Sequence, residues 1–267
     1  MKKYFFLYNL FALIFLFTAC DNIEENDRLI KVDNVIDNIP AGIAKNVLIE
    51  DFTGQRCSNC PNGTKIIEQL QESYGADRVI AVGIHSGPFG KLANGNLLPL
   101  TTTTGCDYYD QRGVESQPGA HIDRNGAIIY NVQEWVITVK ERLGLITEIE
   151  MDVVAKVNGD NIDITVNEKA YGAYSGKLQV WILEDGIVAS QIMPDATTNR
   201  NYIHNHVFRA AVNGAWGDEF SINAEESKSQ SFVQAVDTKW NTDNLSVVAF
   251  IYDNDGVEQV VKGKVEK

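Results

Sequence analysis

The chain has 267 residues, of which 44% are hydrophobic, and a formal net charge of −13 at pH 7. The hydrophobic fraction is large enough to build a buried core, which excludes an intrinsically disordered protein. The acidic balance excludes nucleic acid and anionic lipid headgroups as electrostatic partners, because an acidic surface repels both.

Residues 1–19 have the pattern of a secretory signal peptide. Lys2 and Lys3 precede an apolar run from Tyr4 to Phe17, which is too short to span a bilayer comfortably, and small residues follow it. The small residues that end on Cys20 are similar to a bacterial lipobox, although Phe17 stands where leucine is usual. The pattern predicts membrane attachment through lipid on Cys20. The alternative is an ordinary cleaved signal with an incidental cysteine.

Residues 20–44 predict a solvated tether between the membrane and the folded part of the chain. The segment after Cys20 is acidic and polar, with almost nothing to bury. The acidic residues after Cys20 resemble a signal that, in Bacteroidetes lipoproteins, directs display on the outer face of the cell. The alternative is a plain hydrophilic linker. We therefore expect a lipid-anchored protein of the cell envelope, on its periplasmic side or at the cell surface.

Residues 45–147 alternate between strand-like and helix-like patterns, which is typical of an α/β sheet. Apolar runs predict the strands, and an apolar face at helical spacing predicts the helices. The predicted strands are 47–52, 79–84 and 128–130, and the predicted helices are 61–74 and 133–145. A stretch rich in Gly and Thr, 87–109, predicts an insertion that could form a lid or part of a substrate groove.

Cys57 and Cys60 follow the first predicted strand and begin a predicted helix. Cysteines at this spacing can close a small disulfide, and a helix N-terminus stabilises the thiolate of the first one. Arg56, a neighbouring cation, favours the same thiolate. The pair therefore predicts a thiol–disulfide redox site. Cys106 is left as the odd thiol, with three interpretations: a buried inert group, a resolving partner for Cys57, or a site of mixed disulfides.

The motif D-F-x-x-x-x-C-x-x-C, formed by Asp51, Phe52, Cys57 and Cys60, resembles that of the thioredoxin superfamily. The resemblance implies a buried carboxylate, Asp51, that moves a proton to or from Cys60. It also implies a cis-proline, Pro118, that supports the substrate backbone. The residue before the first cysteine departs from the pattern, since an aromatic side chain is usual there. The alternatives are a loop or edge-strand carboxylate and an ordinary trans-proline.

Residues 148–267 change to period-two patterns, which predict an all-β immunoglobulin-like sandwich. Strands are predicted at 151–157, 161–166, 178–183 and 245–252. If the segment around His204 and His206 is a strand, both side chains project to one face with about 6–7 Å between Cα atoms, within reach of a shared metal. The alternative is the polar face of a sandwich strand. No cofactor is predicted.

Two motifs together are similar to one family, the outer-membrane lipoproteins of Bacteroidetes named after a member of about 28 kDa. They are the G-x-x-C-x-x-C-P element from Gly54 to Pro61 and the H-N-H-V-x-R element from His204 to Arg209. The similarity extends from about residue 45 to the end of the chain. It implies an outer-membrane location and the fold class indicated above, an α/β thioredoxin-like domain followed by an all-β immunoglobulin-like sandwich domain.

Two functions of different classes remain open. The first is a thiol–disulfide oxidoreductase acting on protein or peptide thiols and disulfides, in which Cys57 forms a mixed disulfide, Cys60 resolves it and Asp51 handles the proton. The second is a non-catalytic surface binding or adhesion protein, in which the first domain is a scaffold and the C-x-x-C is a static link. The lack of a reducing partner outside the cell favours the second function for a surface protein.

Overall fold

The computed structural model describes residues 42–267, so the predicted signal peptide, Cys20 and most of the predicted tether lie outside the described residues. Within them, fifteen strands and three α-helices follow one another. The elements up to residue 147 are β1 (Ile43–Ala44), β2 (Val47–Thr53), α1 (Cys60–Tyr74), β3 (Val79–His85), α2 (Thr103–Gln111), β4 (Gly119–Ile122), α3 (Val132–Leu143) and β5 (Ile146–Thr147). The later elements are β6 (Ile149–Asn158), β7 (Asn161–Ala170), β8 (Tyr174–Glu184), β9 (Ile187–Ile192), β10 (Thr198–His204), β11 (Val207–Ala211), β12 (Asp218–Ile222), β13 (Ser227–Ala235), β14 (Leu245–Asp253) and β15 (Gly256–Glu266).

Eleven of these strands form one mixed sheet. Its order is β13-β7-β6-β15-β14-β8-β11-β3-β2-β4, and β12 pairs with β8 outside this path. β2 and β3 are parallel, and β4 is antiparallel to β2. β11 pairs with β8 on one side and with β3 on the other, where Val207 lies opposite Gly83. Strands from before and after residue 147 therefore share one hydrogen-bonded sheet.

The predicted fold class, an α/β thioredoxin-like domain followed by an immunoglobulin-like sandwich domain, is wrong. The described residues are mostly strand with only three α-helices, and one mixed sheet runs through both parts. The physical reason is that hydrophobic periodicity predicts which segments are strands but not which strands pair with each other. Here β3 pairs on one side with β11, which lies far along the chain, and no local pattern in the sequence indicates this pairing.

Most predicted helices and strands are confirmed individually, including β2, α1, β3 and the period-two strands β6, β7, β8 and β14. The segment 128–130 is the exception, because Ile129 makes only an isolated bridge with Ala120. The stretch 87–109 contains a 3₁₀ turn at Pro88–Gly90 and the first part of α2. Among residues 42–267, no helix is both long and apolar enough to cross a membrane.

Three clusters of buried apolar side chains stabilise the sheet. The first lies between the strands β2, β3 and β4 and the helices α1 and α3. The second is shared, because Leu48 and Ile80 from the first part pack in one cluster with Trp181 and Phe250 from the second. The third lies among β6, β7, β8, β12 and β14. Burial of apolar surface in the second cluster therefore stabilises both parts of the chain together.

Helix α1 carries one half of the disulfide at its first residue. Pro61 lies in the first turn, where its missing N–H removes no bond within the helix. Ile66 and Leu70 recur at helical spacing and are buried against the sheet. The helix approaches α3 closely because Gly63 has no side chain, and a Cβ there would lie 2.9 Å from the Trp135 ring.

Candidate functional site

Cys57 and Cys60 form a disulfide at the N-terminus of α1, with 5.4 Å between their Cα atoms. The peptide bond between Gln117 and Pro118 is cis. Pro118 Cβ would lie 3.4 Å from a Cβ built on Gly63, so the proline lies against the first turn of the helix that begins at Cys60. The predicted cysteines and proline are therefore brought to one end of α1.

Asp51 lies in the middle of β2 and is only 2% exposed. Burial disfavours the charged carboxylate and raises the pKa of Asp51 from its ordinary 3.8 to about 7. Its Oδ1 has no hydrogen-bond partner among residues 42–267. The sequence could indicate this carboxyl group, because the D-F-x-x-x-x-C-x-x-C spacing places it on the strand that leads to the disulfide.

A cavity of about 20 Å³, partly open to solvent, lies between Cys60 and the second part of the chain. Its lining combines a sulfur residue, a carboxyl group and imidazole rings. The cavity is large enough for one water molecule, which needs roughly 10–15 Å³. The lining includes Asp51, Cys60, His85, His204 and His206.

The three histidines in this lining are neutral near pH 7. Burial is the largest cause in each case: it lowers the pKa of His204 to about 4 and that of His206 to about 4, and it holds the pKa of His85 well below its ordinary value. The rings of His85 and His204 are 5.2 Å apart between centroids. Neutral imidazoles beside Asp51 present lone pairs and N–H groups to the cavity instead of positive charge.

The hairpin formed by β9 and β10 covers the disulfide. The side-chain amide of Gln191 donates hydrogen bonds to the carbonyl oxygens of Cys57 at 2.8 Å and Gly54 at 3.4 Å. The backbone N–H of Ile192 donates to the carbonyl of Gln55 at 2.9 Å. Cys57 and Cys60 are each only 2% exposed. A large substrate can therefore reach the sulfurs only if the structure around them opens.

The loop that carries Cys57 is also held on its other side. The N–H of Arg56 donates to the carbonyl of Phe89 at 3.2 Å, and the Arg56 guanidinium donates to the carbonyl of Lys91 at 2.7 Å. Gly54 is required here, because a Cβ would lie 2.6 Å from the carbonyl carbon of Phe89. The guanidinium of Arg56 is therefore fixed by the neighbouring loop.

The other predicted site residues are the candidate metal ligands His204 and His206 and the odd thiol Cys106. β10 ends at His204, and His206 follows it with a φ of 44°, so the two histidines do not share one continuous strand. Within the described part of the chain, no group of three or more His, Cys, Asp and Glu side chains has the arrangement of a metal site. Cys106 is a buried free thiol on α2, and burial raises its pKa.

Two residues of the site were missed by sequence reasoning. His85 ends the buried strand β3 and lines the cavity, although no pattern in the sequence assigns it to the site. Gln191 lies in β9, a strand that the sequence pattern does not predict, and its side chain donates to the Cys57 carbonyl across 134 residues of sequence. For Gln191 no sequence signal exists, because its partners are backbone atoms.

The fold and the site define a mostly β protein with a buried C-x-x-C disulfide beside a small, histidine-lined cavity. A family model described as outer membrane protein Omp28 matches residues 106–267, which is more than half of the chain. The chain belongs to the Omp28 family of outer membrane proteins. The predicted family and the predicted outer-membrane location are thereby confirmed, whereas lipid attachment at Cys20 stays a prediction.

Solved structures are similar to different extents of the chain. HBP35 of Porphyromonas gingivalis is 17% identical, with a TM-score of 0.65, over 85% of this chain and 77% of its own. A domain of the outer membrane lipoprotein Omp28 from Porphyromonas gingivalis is 30% identical, with a TM-score of 0.34, over 46% of this chain and 91% of its own. No curated protein matches the chain. The first of these similarities concerns the fold alone.

Proposed function

We propose that this outer membrane protein carries out thiol–disulfide exchange with protein or peptide thiols at Cys57 and Cys60. The observation that carries the proposal is the buried carboxyl group of Asp51, whose pKa is raised to about 7 and which lines the same cavity as Cys60. A group with a pKa near the working pH is suited to giving and taking protons in each turnover. A disulfide that served only as a link would need no such neighbour.

The exchange proceeds in two balanced steps. A substrate thiolate attacks Cys57 Sγ, the Cys57–Cys60 bond breaks, and the Cys60 thiolate that leaves takes the proton of Asp51. A second substrate thiolate then attacks the substrate sulfur of the mixed disulfide and releases Cys57 as a thiolate. The substrate pair is oxidised to a disulfide, and the protein disulfide is reduced to a dithiol.

The local electrostatics support Cys57 as the attacked sulfur and the leaving thiolate of the second step. It lies at the N-terminus of α1, where unpaired backbone N–H groups favour negative charge. The fixed guanidinium of Arg56 is its sequence neighbour and adds a positive charge. Cys60 faces the cavity and its carboxyl group instead, which suits a sulfur that must be protonated.

Peptide oxidation tests the proposal directly. The oxidised mature protein should convert a dithiol peptide to its disulfide, and Cys57→Ser should abolish this conversion. Cys60→Ser, mixed with a disulfide peptide, should accumulate a mixed disulfide at Cys57 that mass spectrometry detects. Cys106→Ser is the matched control and should react like the wild type, because this thiol takes no part. Equal rates for the wild type and Cys57→Ser would exclude the function.

A second candidate function is non-catalytic binding at the envelope, with the disulfide as a structural link. The 2% exposure of both cysteines favours it, because a static link needs no access to solvent. The two functions differ in the behaviour of the sulfurs. A purely structural disulfide resists dithiol peptides under native conditions and is reduced only when the protein unfolds.

A further inference from the structure

We propose that His204 is a positioning residue of this site, which holds a water molecule between its own Nε2 and the carboxyl group of Asp51. The inference rests on the proposed function for its chemical meaning, but the water site itself does not. It also gives a role to the histidine motif, which is remote from the cysteines in sequence and lines the same cavity.

The lining of the cavity contains unpartnered polar atoms. Asp51 Oδ1, His85 Nδ1 and His204 Nε2 are buried and have no hydrogen-bond partner within residues 42–267. All three residues line the cavity, and each is at most 5% exposed. Leaving such atoms unpaired destabilises the folded state, so buried polar atoms are normally paired with protein or ordered water. One water with three polar partners satisfies them together.

The environment of His204 supports an accepting role for Nε2. Backbone groups of Ser190 and Ala189 on β9 act on the ring and oppose the lowering of its pKa by burial. Nε2 is the nitrogen without a partner among the described residues. Because burial keeps the pKa of His204 at about 4, the ring is neutral at pH 7 and Nε2 carries a lone pair. A water molecule can donate one proton to this nitrogen and the other to Asp51.

The consequence for the chemistry lies in the charge of Asp51. After Asp51 gives its proton to Cys60, the charged carboxylate remains in a buried position, where the loss of hydration destabilises it. A water fixed by His204 donates a hydrogen bond to that carboxylate and lowers the cost of the charge. The same water is the adjacent group from which the carboxyl group regains a proton.

Other titratable groups near the cavity do not replace the water-mediated contact between His204 and Asp51. None of them carries a positive charge against Asp51, since burial alone accounts for its raised pKa. The charges that act on the neighbouring rings lie further out. The groups that face the cavity or act on its rings are His85 from β3, Cys60 and Glu68 from α1, Tyr202 from β10, His206, Arg209 from β11, Asp185, and Lys262 from β15.

Carboxyl titration in the oxidised protein tests the water bridge without any substrate. ¹³C NMR of the labelled Asp51 carboxyl, assigned by its loss in Asp51→Asn, gives its pKa in the wild type, His204→Phe and His204→Gln. Phenylalanine removes the acceptor, so the carboxylate-to-acid ratio of Asp51 at pH 7 should fall about tenfold, a shift of one pKa unit. Glutamine retains an acceptor oxygen and should keep the ratio within about twofold of the wild type.

Each result decides the proposal. An unchanged ratio in His204→Phe, or an equal fall in both variants, overturns it, because a purely structural role would not distinguish the two side chains. If His204→Phe does not fold, a crystal structure of the wild type decides by the presence or absence of a water bonded to both Asp51 and His204. Peptide oxidation is measured separately, so failure of the proposed function is distinguishable from failure of the water site.

Discussion

Asp51 is costly to the folded state whenever it is charged. Its pKa is about 7 in the folded protein, whereas an exposed aspartate in the unfolded chain keeps its ordinary value near 3.8. Between these two values the folded state binds a proton that the unfolded state has lost. The contribution of Asp51 to stability is therefore fully present below about pH 4 and is lost as the pH rises towards 7.

We predict that Asp51→Asn stabilises the protein at high pH. The amide cannot ionise, so the free energy of unfolding at pH 8 should rise by up to about 4 kcal/mol relative to the wild type, and the gain should vanish near pH 4. Urea denaturation at several pH values measures the difference. Subtracting the two curves removes the buried histidines, whose lowered pKa values give the opposite pH dependence.

Glu168 provides a matched control for Asp51. Burial also raises its pKa to about 7, but it lies on β7 and does not line the cavity at the disulfide. Glu168→Gln should show a gain in stability at high pH and leave peptide oxidation unchanged. Asp51→Asn should slow that oxidation. A stability gain in Asp51→Asn that is equal at pH 4 and pH 8 would contradict the assignment of the raised pKa.

At the residue scale, the sequence was informative where the chemistry is local. The spacing of Asp51, Cys57 and Cys60 follows from one strand and the helix after it, so a linear motif could predict them. His85 and Gln191 could not be predicted as members of the site, because their roles depend on how distant segments pack. The sequence predicts a shared face for His204 and His206, but the strand breaks after His204, so the two side chains do not have that geometry.

At the element scale, the β9–β10 hairpin determines access to the disulfide. Within residues 42–267 its two strands pair only with each other, and side-chain and backbone hydrogen bonds hold the hairpin to the loop at Cys57. Val188 and Ile203 on its two strands are 62% and 58% exposed, so only one face of the hairpin is packed. Elements with few buried contacts open at lower free energy than the core.

We predict that Gln191→Ala accelerates reduction of the disulfide. The variant loses the hydrogen bonds to the carbonyls of Cys57 and Gly54, which contribute about 0.5–1.5 kcal/mol each. A loss of about 1.4 kcal/mol raises the open population, and hence the rate of reduction by dithiothreitol, about tenfold. Val188→Ala is the control on the same strand and should react at the wild-type rate. Identical rates in all three proteins would show that the hairpin does not limit access.

At the scale of the whole molecule, the second core cluster contains side chains from both sides of residue 147, where the sequence pattern changes. Trp181 on β8 packs against Tyr108 on α2, and its ring N–H donates to the Tyr108 hydroxyl at 3.1 Å. Arg124, which follows β4, pairs with Glu50 at 2.9 Å and lies 4.3 Å from the Tyr252 ring centroid on β14. The change from mixed to period-two patterns is real in the sequence, yet long-range packing extends across it.

We predict from this packing that a destabilising substitution in β8 also destabilises β2. Trp181→Ala removes a fully buried ring and should lower the free energy of unfolding by about 3–5 kcal/mol. Hydrogen exchange measured by mass spectrometry should become faster in β2 and β3 as well as in β8 and β14. Val166→Ala, buried in the third cluster, is the control, and its effect should concentrate in β6 and β7. Unchanged protection of β2 in Trp181→Ala would mean that the two parts unfold independently, although they share a sheet and a core.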